Sequence, residues 1–244
     1  MAQNYFKESL AIVGQLGDKR AIALSLNSLG IIAHKQSDYA AAQDFFEQSL
    51  KISRALGDKR SVAALLNNLG NIAHDQGEYK TAQIFHEQSL AIKRELGDKV
   101  SIAYSLYNLG LIAYKQSNYT KAQNLLEQSL VIWQEVGDKL GIAENLEELA
   151  KLATSQKQVR RATRLFGASE ALREDIGAPI PPADRADYDH TVTTLRTSLS
   201  ESAFAKAWAE GRAMTLDQAI AYALRDSEMS ESHSTMNPAS SPGS

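Results

Sequence analysis

The sequence contains no cysteine, which excludes disulfides, thiolate metal sites and a cysteine nucleophile. Positive charge is not in excess either, because 26 basic residues stand against 29 acidic ones, for a formal net charge of −3. Nucleic acid and anionic lipid favour clustered positive charge, so neither is an expected partner. The chain also lacks a secretory signal and any apolar run near the roughly 18 residues of a membrane span. These absences predict a soluble, cytoplasmic protein.

What the sequence does contain is a pattern that recurs every forty residues. In the middle copy, leucines, a glycine and an alanine share one helix face, and a further alanine follows on a second helix. A fixed period of 20 to 50 residues is typical of a stack of identical supersecondary units. The pattern therefore predicts an all-α solenoid of helix–turn–helix repeats. Its three copies are Leu26, Leu29, Gly30, Ala33 and Ala42; Leu66, Leu69, Gly70, Ala73 and Ala82; and Leu106, Leu109, Gly110, Ala113 and Ala122.

The period also predicts the organisation of the chain. Three full repeats occupy 19–58, 59–98 and 99–138, each with a first helix (helix A) and a second helix (helix B). A degenerate repeat follows at 139–178, and residues 1–18 match helix B alone. Residues 179–225 are predicted as a helical C-terminal cap, with Trp208 as a core anchor and the last helix ending near Leu224. Residues 226–244 are rich in serine and proline without an apolar period, which predicts a disordered tail.

Each repeat boundary carries Gly-Asp-Lys. Glycine closes a helix cheaply in a left-handed conformation, and the following aspartate can cap the next helix by accepting hydrogen bonds from its first amides. We therefore interpret these aspartates as caps and not as catalytic carboxylates. The glycine in the middle of each helix A is unfavourable for helicity, so it indicates close approach of a neighbouring helix. The four predicted caps are Asp18, Asp58, Asp98 and Asp138.

These residues resemble the tetratricopeptide repeat, with L-x₂-L-G-x₂-A…A-x₃-F in repeat 19–58 and a final leucine instead in repeat 99–138. The middle repeat has His86 at the aromatic position. The period is 40 where the family's usual period is 34, and no proline ends helix B. Forty-residue versions resemble the repeats of kinesin light chain and of cell-polarity adaptors that regulate G proteins. The resemblance implies a right-handed α-solenoid that binds a peptide or partner protein.

Residues 165–223 resemble the C-terminus of bacterial signalling proteins that place an NTPase module before a tetratricopeptide sensor array. The partial repeat at the start points the same way, because Tyr5, Phe6, Leu10 and Ile12 give an unpaired apolar strip where a polar cap is usual. We therefore expect a portion of a longer bacterial regulator. The alternative is a self-association scaffold, a homo-oligomer that covers the exposed N-terminal helix with a second copy.

No motif predicts catalysis, a cofactor or a metal. His34 and His74 occupy equivalent places in neighbouring A helices, which predicts a separation of about 10 Å, too far for one zinc ion. The next repeat has Tyr114 there, so no series of ligands continues. The glutamates of the recurring Glu-Gln-Ser-Leu runs belong to solvated helix faces, and the glycines do not have phosphate-loop spacing. The sequence therefore predicts a protein that is not an enzyme.

The informative polar residues are asparagines on helix A. Asparagine is a mediocre helix former, and its carboxamide can both donate to and accept from a peptide main chain. In the resembling adaptors, asparagines on the concave A-helix face bind an extended peptide. The alternative is a ladder in which the asparagines bridge adjacent A helices. The set expected of a clamp for C-terminal carboxylates is absent. The candidate partner-binding residues are Asn27, His34, Asn67, Asn68, Asn71, His74, Tyr104, Tyr107, Asn108 and Tyr114.

Overall fold

The computed structural model of the protein describes residues 17–234, and within that range it contains eleven α-helices and no strand. The predicted all-α architecture of helix–turn–helix repeats is confirmed. The chain divides into two compact units, residues 1–117 and 118–244, so that repeat 99–138 spans the division. The first unit contains α1 (Lys19–Lys35), α2 (Tyr39–Ala55), α3 (Lys59–Asp75), α4 (Tyr79–Leu96) and α5 (Lys99–Lys115). The second contains α6 (Tyr119–Val136), α7 (Lys139–Ser155), α8 (Val159–Asp175), α9 (Pro182–Ser198), α10 (Glu201–Arg212) and α11 (Leu216–Ser234).

The repeat boundaries fold as their Gly-Asp-Lys sequence predicts. Gly57, Gly97 and Gly137 all have φ near +70°, at +67°, +67° and +77°, which an L side chain rarely adopts. The aspartate after each glycine then accepts a hydrogen bond from the third residue of the next helix. For Asp58 the donor is the Ser61 amide at 3.1 Å. The same capping bond is present at Asp18, Asp98 and Asp138.

The glycine in the middle of helix A allows helix B to approach, as the sequence predicted. In the first unit, an added Cβ at Gly30 would lie only 2.5 Å from the buried Phe46 ring, and one at Gly70 only 2.8 Å from His86. Helices A and B also share a hydrogen bond that recurs with the period. The buried hydroxyl of Ser49 donates to the carbonyl of Ala23 on α1 at 2.7 Å. The recurrence of Glu-Gln-Ser-Leu therefore has a structural cause, because its serine ties the two helices of a repeat together.

The second unit packs a tryptophan where the first unit has smaller residues. Trp133 on α6 is only 1% exposed, and a Cβ at Gly141 on α7 would lie 2.5 Å from its indole ring. Beside this core, α7 and α8 are joined by a buried ion pair, in which Arg173 Nε donates to Glu147 Oε1 at 2.5 Å. The Ser169 hydroxyl also donates to Glu147 at 2.6 Å. The carboxylate is therefore compensated on two sides.

The C-terminal helices pack against α8. Gly167 and Gly211 lie at the contact of α8 with α10, and a Cβ on Gly167 would lie 2.5 Å from the backbone oxygen of Trp208. The prediction of Trp208 as a core anchor is corrected. Its ring is only half-buried and stacks on Phe204. The indole N–H donates to Glu170 at 2.8 Å, and this hydrogen bond holds the ring at the edge of the α8–α10 contact. Phe204 is the buried aromatic residue of α10.

The last helix of the chain begins as predicted but ends later than predicted. Thr215 and Gln218 form the predicted capping box, with reciprocal bonds of 2.9 and 3.3 Å. The helix that follows continues to Ser234, ten residues beyond its predicted end and into the segment predicted to be disordered, since no proline or glycine occurs before Pro238.

Residues 235–244 lie outside the described residues. Residues 1–16 do too, so the N-terminal half-repeat and self-association through it stay predictions. Among the described helices, none is long and apolar enough to cross a membrane.

Candidate functional site

A groove with a volume of about 640 Å³ lies along helices α3 and α5 of the first unit. One face of α3 lines it through residues 60, 63, 64, 67, 68 and 71, and one face of α5 through residues 101, 104 and 108. Spacings of three and four residues bring side chains to the same side of a helix, so the helix period builds the wall. The end of α4 and the α4–α5 turn complete the lining with Lys93, Leu96 and Asp98. We call this surface the α3–α5 groove.

The groove brings together half of the residues predicted from the sequence. The four asparagines among them are half-buried, and the tyrosine is 45% exposed. This combination leaves polar atoms accessible at the edge of an otherwise packed helix pair. The five predicted residues that line the groove are Asn67, Asn68, Asn71, Tyr104 and Asn108.

The asparagine carboxamides are not equivalent. Asn68 donates to the carboxamide oxygen of Asn27 on α1 at 3.2 Å, which is one rung of the ladder considered as the alternative. Asn67 accepts from the Lys93 ammonium at 3.3 Å. Asn71 and Asn108 make no side-chain hydrogen bond to any of the residues the structure describes. The ladder is therefore present between α1 and α3, whereas two carboxamides of the groove keep their donors and acceptors for another molecule.

Lys93 is the least expected residue of the groove. It is only 8% exposed, and its ammonium donates to the Ser105 hydroxyl at 2.7 Å and, less closely, to Asn67. Burial lowers its pKa to about 8, although the negative charge of Asp98 acts in the opposite direction. Asp98 is itself occupied as the cap of α5, where it accepts from the Ser101 amide at 3.1 Å. Hydrogen bonds from Ser101, and then the charges of Lys93 and Arg60, lower the pKa of Asp98.

The other predicted residues lie elsewhere. Asn27 lines a smaller cavity of about 50 Å³ between α1, α2 and α3 and meets the groove only through Asn68. Tyr107 and Tyr114 are half-buried on α5 and do not line the groove. His34 and His74 also lie away from its lining, each with a carboxylate partner.

The two histidines share one carboxylate that the sequence analysis did not consider. His34 Nε2 lies 2.8 Å from Asp75 Oδ2, and His74 Nδ1 lies 3.3 Å from Asp75 Oδ1. Asp75 follows His74 directly at the end of α3, so its side chain can reach back to the preceding repeat. Within the described residues, no three metal-ligating side chains form a group that could hold a metal ion. The pair therefore tethers the ends of α1 and α3.

Sequence reasoning missed the charged residues of the groove, which are Arg60, Lys93 and Asp98. A signal for Lys93 was available in the repeat itself. Position 93 is equivalent to positions 53, 133 and 173, where the chain has Ser53, Trp133 and Arg173, and all four are buried. Aligning the repeats therefore would have placed a lysine at a buried position. Asp98 was correctly interpreted as a cap. That it also lines the groove follows only from the packing of α4 on α5.

The fold is a helical-repeat module, and the groove is a surface with polar side chains on two of its A helices. The sequence profile of the tetratricopeptide repeat family matches residues 1–55, 61–130 and 101–175. The chain therefore belongs to the tetratricopeptide repeat family. Such repeats are protein-interaction modules and are typically non-catalytic, so the chain belongs to a class that binds other proteins. No curated protein matches the chain significantly in sequence.

Solved structures share the fold at low sequence identity. BtubC (BKLC) from P. vanneervenii is 19% identical, with a TM-score of 0.66 over 99% of this chain and 94% of that one. A putative kinesin light chain from Podosopora anserina, with nearly identical TPR-like repeats, is 18% identical, with a TM-score of 0.58 over 72% and 87%. A Rap protein complexed with Competence and Sporulation Factor is 15% identical, with a TM-score of 0.63 over 96% and 66%. The predicted likeness to kinesin-light-chain repeats is confirmed at the level of fold.

Proposed function

We propose that the α3–α5 groove binds an extended peptide or a partner helix of another protein, and that the chain acts without catalysis. The observation that carries this proposal is the pair Asn71 and Asn108. Their carboxamides line the groove from two successive A helices, and neither makes a hydrogen bond within the described residues. A carboxamide offers two donors and one acceptor oxygen, which matches the alternating N–H and C=O groups of an extended main chain.

The size of the groove agrees with this occupant. A volume of about 640 Å³ lies within the usual range of roughly 300–1,000 Å³ for ligand sites and can hold a few peptide residues. Exposed Tyr104 offers an aromatic surface at the edge, and the exposed Ala64 and Leu96 offer apolar contact beside the polar groups. Affinity would then come from main-chain hydrogen bonds and apolar contacts together.

We further propose that this binding serves as the sensing or regulatory arm of a bacterial signalling or transcription regulator. The support is the resemblance of residues 165–223 to the C-terminal end of such regulators. A Rap protein with this fold was solved complexed with Competence and Sporulation Factor, so a protein of this fold holds a bound factor there. A cytoplasmic location, homo-oligomer formation and the absence of nucleic-acid binding stay predictions.

A random 12-residue peptide library displayed on phage, panned against the purified chain, would test the proposal. Enriched peptides would then be synthesised and titrated by fluorescence anisotropy. We expect Asn71→Ala with Asn108→Ala to weaken binding by about 10-fold, from the loss of two hydrogen bonds. These positions are better targets than Asn67 and Asn68, whose carboxamides already bond inside the protein. Asn124→Ala, at an exposed position of α6, is the matched control.

The two outcomes separate cleanly. If the double variant binds the selected peptides as tightly as the wild type while Asn124→Ala also has no effect, the peptide does not use the groove and its assignment is wrong. Loss of binding with an unchanged circular dichroism spectrum would support the assignment, because both asparagines are partly exposed and their removal leaves the helical core intact.

A further inference from the structure

Two of the four equivalent buried positions in helix B hold a cation, and the partner of that cation differs between them. Arg173 and Lys93 are eighty residues apart, so they occupy equivalent places in helix B of two repeats. Glu147 and Asn67 are equivalent in helix A by the same spacing. In the second unit, Arg173 donates to the Glu147 carboxylate from both Nε and Nη2, at 2.5 and 3.1 Å. In the first unit, Lys93 donates to the neutral Asn67 carboxamide at 3.3 Å.

The cation of the first unit is therefore buried without the carboxylate that its counterpart has. Lys93 and Arg173 are 8% and 7% exposed, so both have lost most of their hydration. Among the described residues, Lys93 forms no ion pair, and its two hydrogen bonds go to the neutral oxygens of Ser105 and Asn67. A buried charge is costly unless it is paired. The pKa of Lys93, lowered to about 8, agrees with a cation that lacks a close partner.

The position of Lys93 in the groove indicates which group could pair with its ammonium. An ammonium has three donors, of which two are used and the bond to Asn67 is the longer. Lys93 lines the α3–α5 groove, where the other charged residues of the described lining are Arg60 and Asp98, and Asp98 is engaged as a helix cap. The groove lining therefore carries one more positive than negative charge, although the whole chain has a formal charge of −3.

We propose that Lys93 recognises a side-chain carboxylate, from an aspartate or glutamate in the interior of the peptide that occupies the α3–α5 groove. This inference rests on the proposed function of the groove and specifies its ligand. The peptide carboxylate has the role that Glu147 has beside Arg173, because it accepts a hydrogen bond from the lysine ammonium. Lys93 contacts Asn67 and Ser105, which are central in the lining segments 60–71 and 101–108, so a peptide continues past it in both directions. A side-chain carboxylate fits that geometry better than a chain terminus.

The test uses acetylated and amidated peptides selected from the phage library, each made with its acidic residue and with the isosteric amide. We expect Glu→Gln or Asp→Asn at one position of the peptide to weaken binding to the wild-type chain by about 10- to 100-fold, since charge-assisted hydrogen bonds are the strong ones. We expect Lys93→Met to abolish this difference between the acidic and amide peptides. Lys93→Arg, which copies the Arg173 side chain, should preserve it.

A second variant, Asn67→Glu, distinguishes a loss of peptide recognition from a defect in folding. Asn67→Glu introduces the counterpart of Glu147 and supplies Lys93 with an internal partner. We expect Asn67→Glu to remove the preference for acidic peptides while its thermal midpoint is at least that of the wild type. Lys93→Met should also melt no earlier, because it removes a buried charge without leaving a charged partner behind.

Four results would count against the inference. Selected peptides without a recurrent acidic residue, or an acidic preference that survives in Lys93→Met, would show that Lys93 does not read a carboxylate. Those results leave the groove function standing if Asn71 and Asn108 still matter. Binding that depends only on a free C-terminal carboxylate, and is lost on amidation, would refute the side-chain source. A library without any enriched peptide would count against both the groove function and this inference.

Discussion

His86 offers a direct way to measure how the repeat tolerates a polar residue in its core. It lies beneath Gly70, is only 1% exposed, and its Nδ1 has no hydrogen-bond partner among the described residues. The equivalent position in the preceding repeat holds Phe46, which lies beneath Gly30 in the same way. The substitution His86→Phe therefore places a side chain that this backbone already accommodates elsewhere.

The pH dependence of the stability follows from the protonation of the His86 imidazole. Burial lowers the pKa of His86 from 6.5 to about 4, with smaller contributions from the charge of Lys93 and from His74. Between these two pH values the unfolded chain binds more protons than the folded chain, so the stability of the folded state falls as the pH is lowered. At about 1.4 kcal/mol per pH unit, the loss between pH 6.5 and pH 4 is about 3 kcal/mol.

At pH 7.5, where His86 is neutral in both states, the variant gains for a different reason. Phenylalanine removes a buried nitrogen without a partner, a group whose desolvation costs about 1–3 kcal/mol. The larger ring has to fit beneath Gly70, which reduces the gain. We expect a net stabilisation of about 1 kcal/mol at pH 7.5, growing by about 3 kcal/mol toward pH 4.

The assay is urea unfolding followed by circular dichroism at 222 nm, at pH values from 7.5 to 4, with the wild type and His86→Phe measured in parallel. The difference between the two chains isolates His86, since carboxylates titrate in both. His190→Phe changes an exposed histidine and is the control. The reasoning is refuted if the difference in unfolding free energy between His86→Phe and the wild type stays constant across this pH range.

Two further substitutions test the packing of each unit. Gly70→Leu should lower the stability by about 1–3 kcal/mol, because even a Cβ there would lie 2.8 Å from His86; a thermal midpoint equal to that of the wild type would show that α3 and α4 are not in close contact. Glu147→Gln should cost about 3 kcal/mol in urea unfolding, because it removes the charge of the carboxylate that is hydrogen-bonded to the buried guanidinium of Arg173. The double change Glu147→Leu with Arg173→Met should restore most of that stability, and a double variant no better than Glu147→Gln would contradict the argument.

Much of the fold was predictable because its determinants are local or repeat with the chain. The boundary glycines end one helix and the boundary aspartates cap the next through contacts with residues close in sequence. Both roles could therefore be predicted from the sequence. The glycine of helix A was predictable as a contact because its helical cost needs a compensating approach. The capping box at Thr215 belongs to the same class.

The candidate site was only half predictable. The asparagines of α3 and α5 were found because they share one face of helix A, and the structure groups five of the ten predicted residues in one groove. Lys93 was missed because it lies on helix B, whereas the predicted partner-binding residues were all sought on helix A. His34 and His74 were treated as a pair of equivalent positions, whereas their shared contact is Asp75, a residue outside the repeated pattern.

The sequence by itself determined the repeat, the helix caps and the family, because a fixed period makes every copy fold by the same short-range rules. Only the tertiary structure decided which polar groups are satisfied within the protein. Asn67 and Lys93 are 26 residues apart, and Asn27 and Asn68 are 41 apart, so their contacts depend on how neighbouring helices are stacked and on the reach of individual side chains. A period fixes the position of a backbone, but it does not fix whether a buried cation has a carboxylate or a carboxamide beside it.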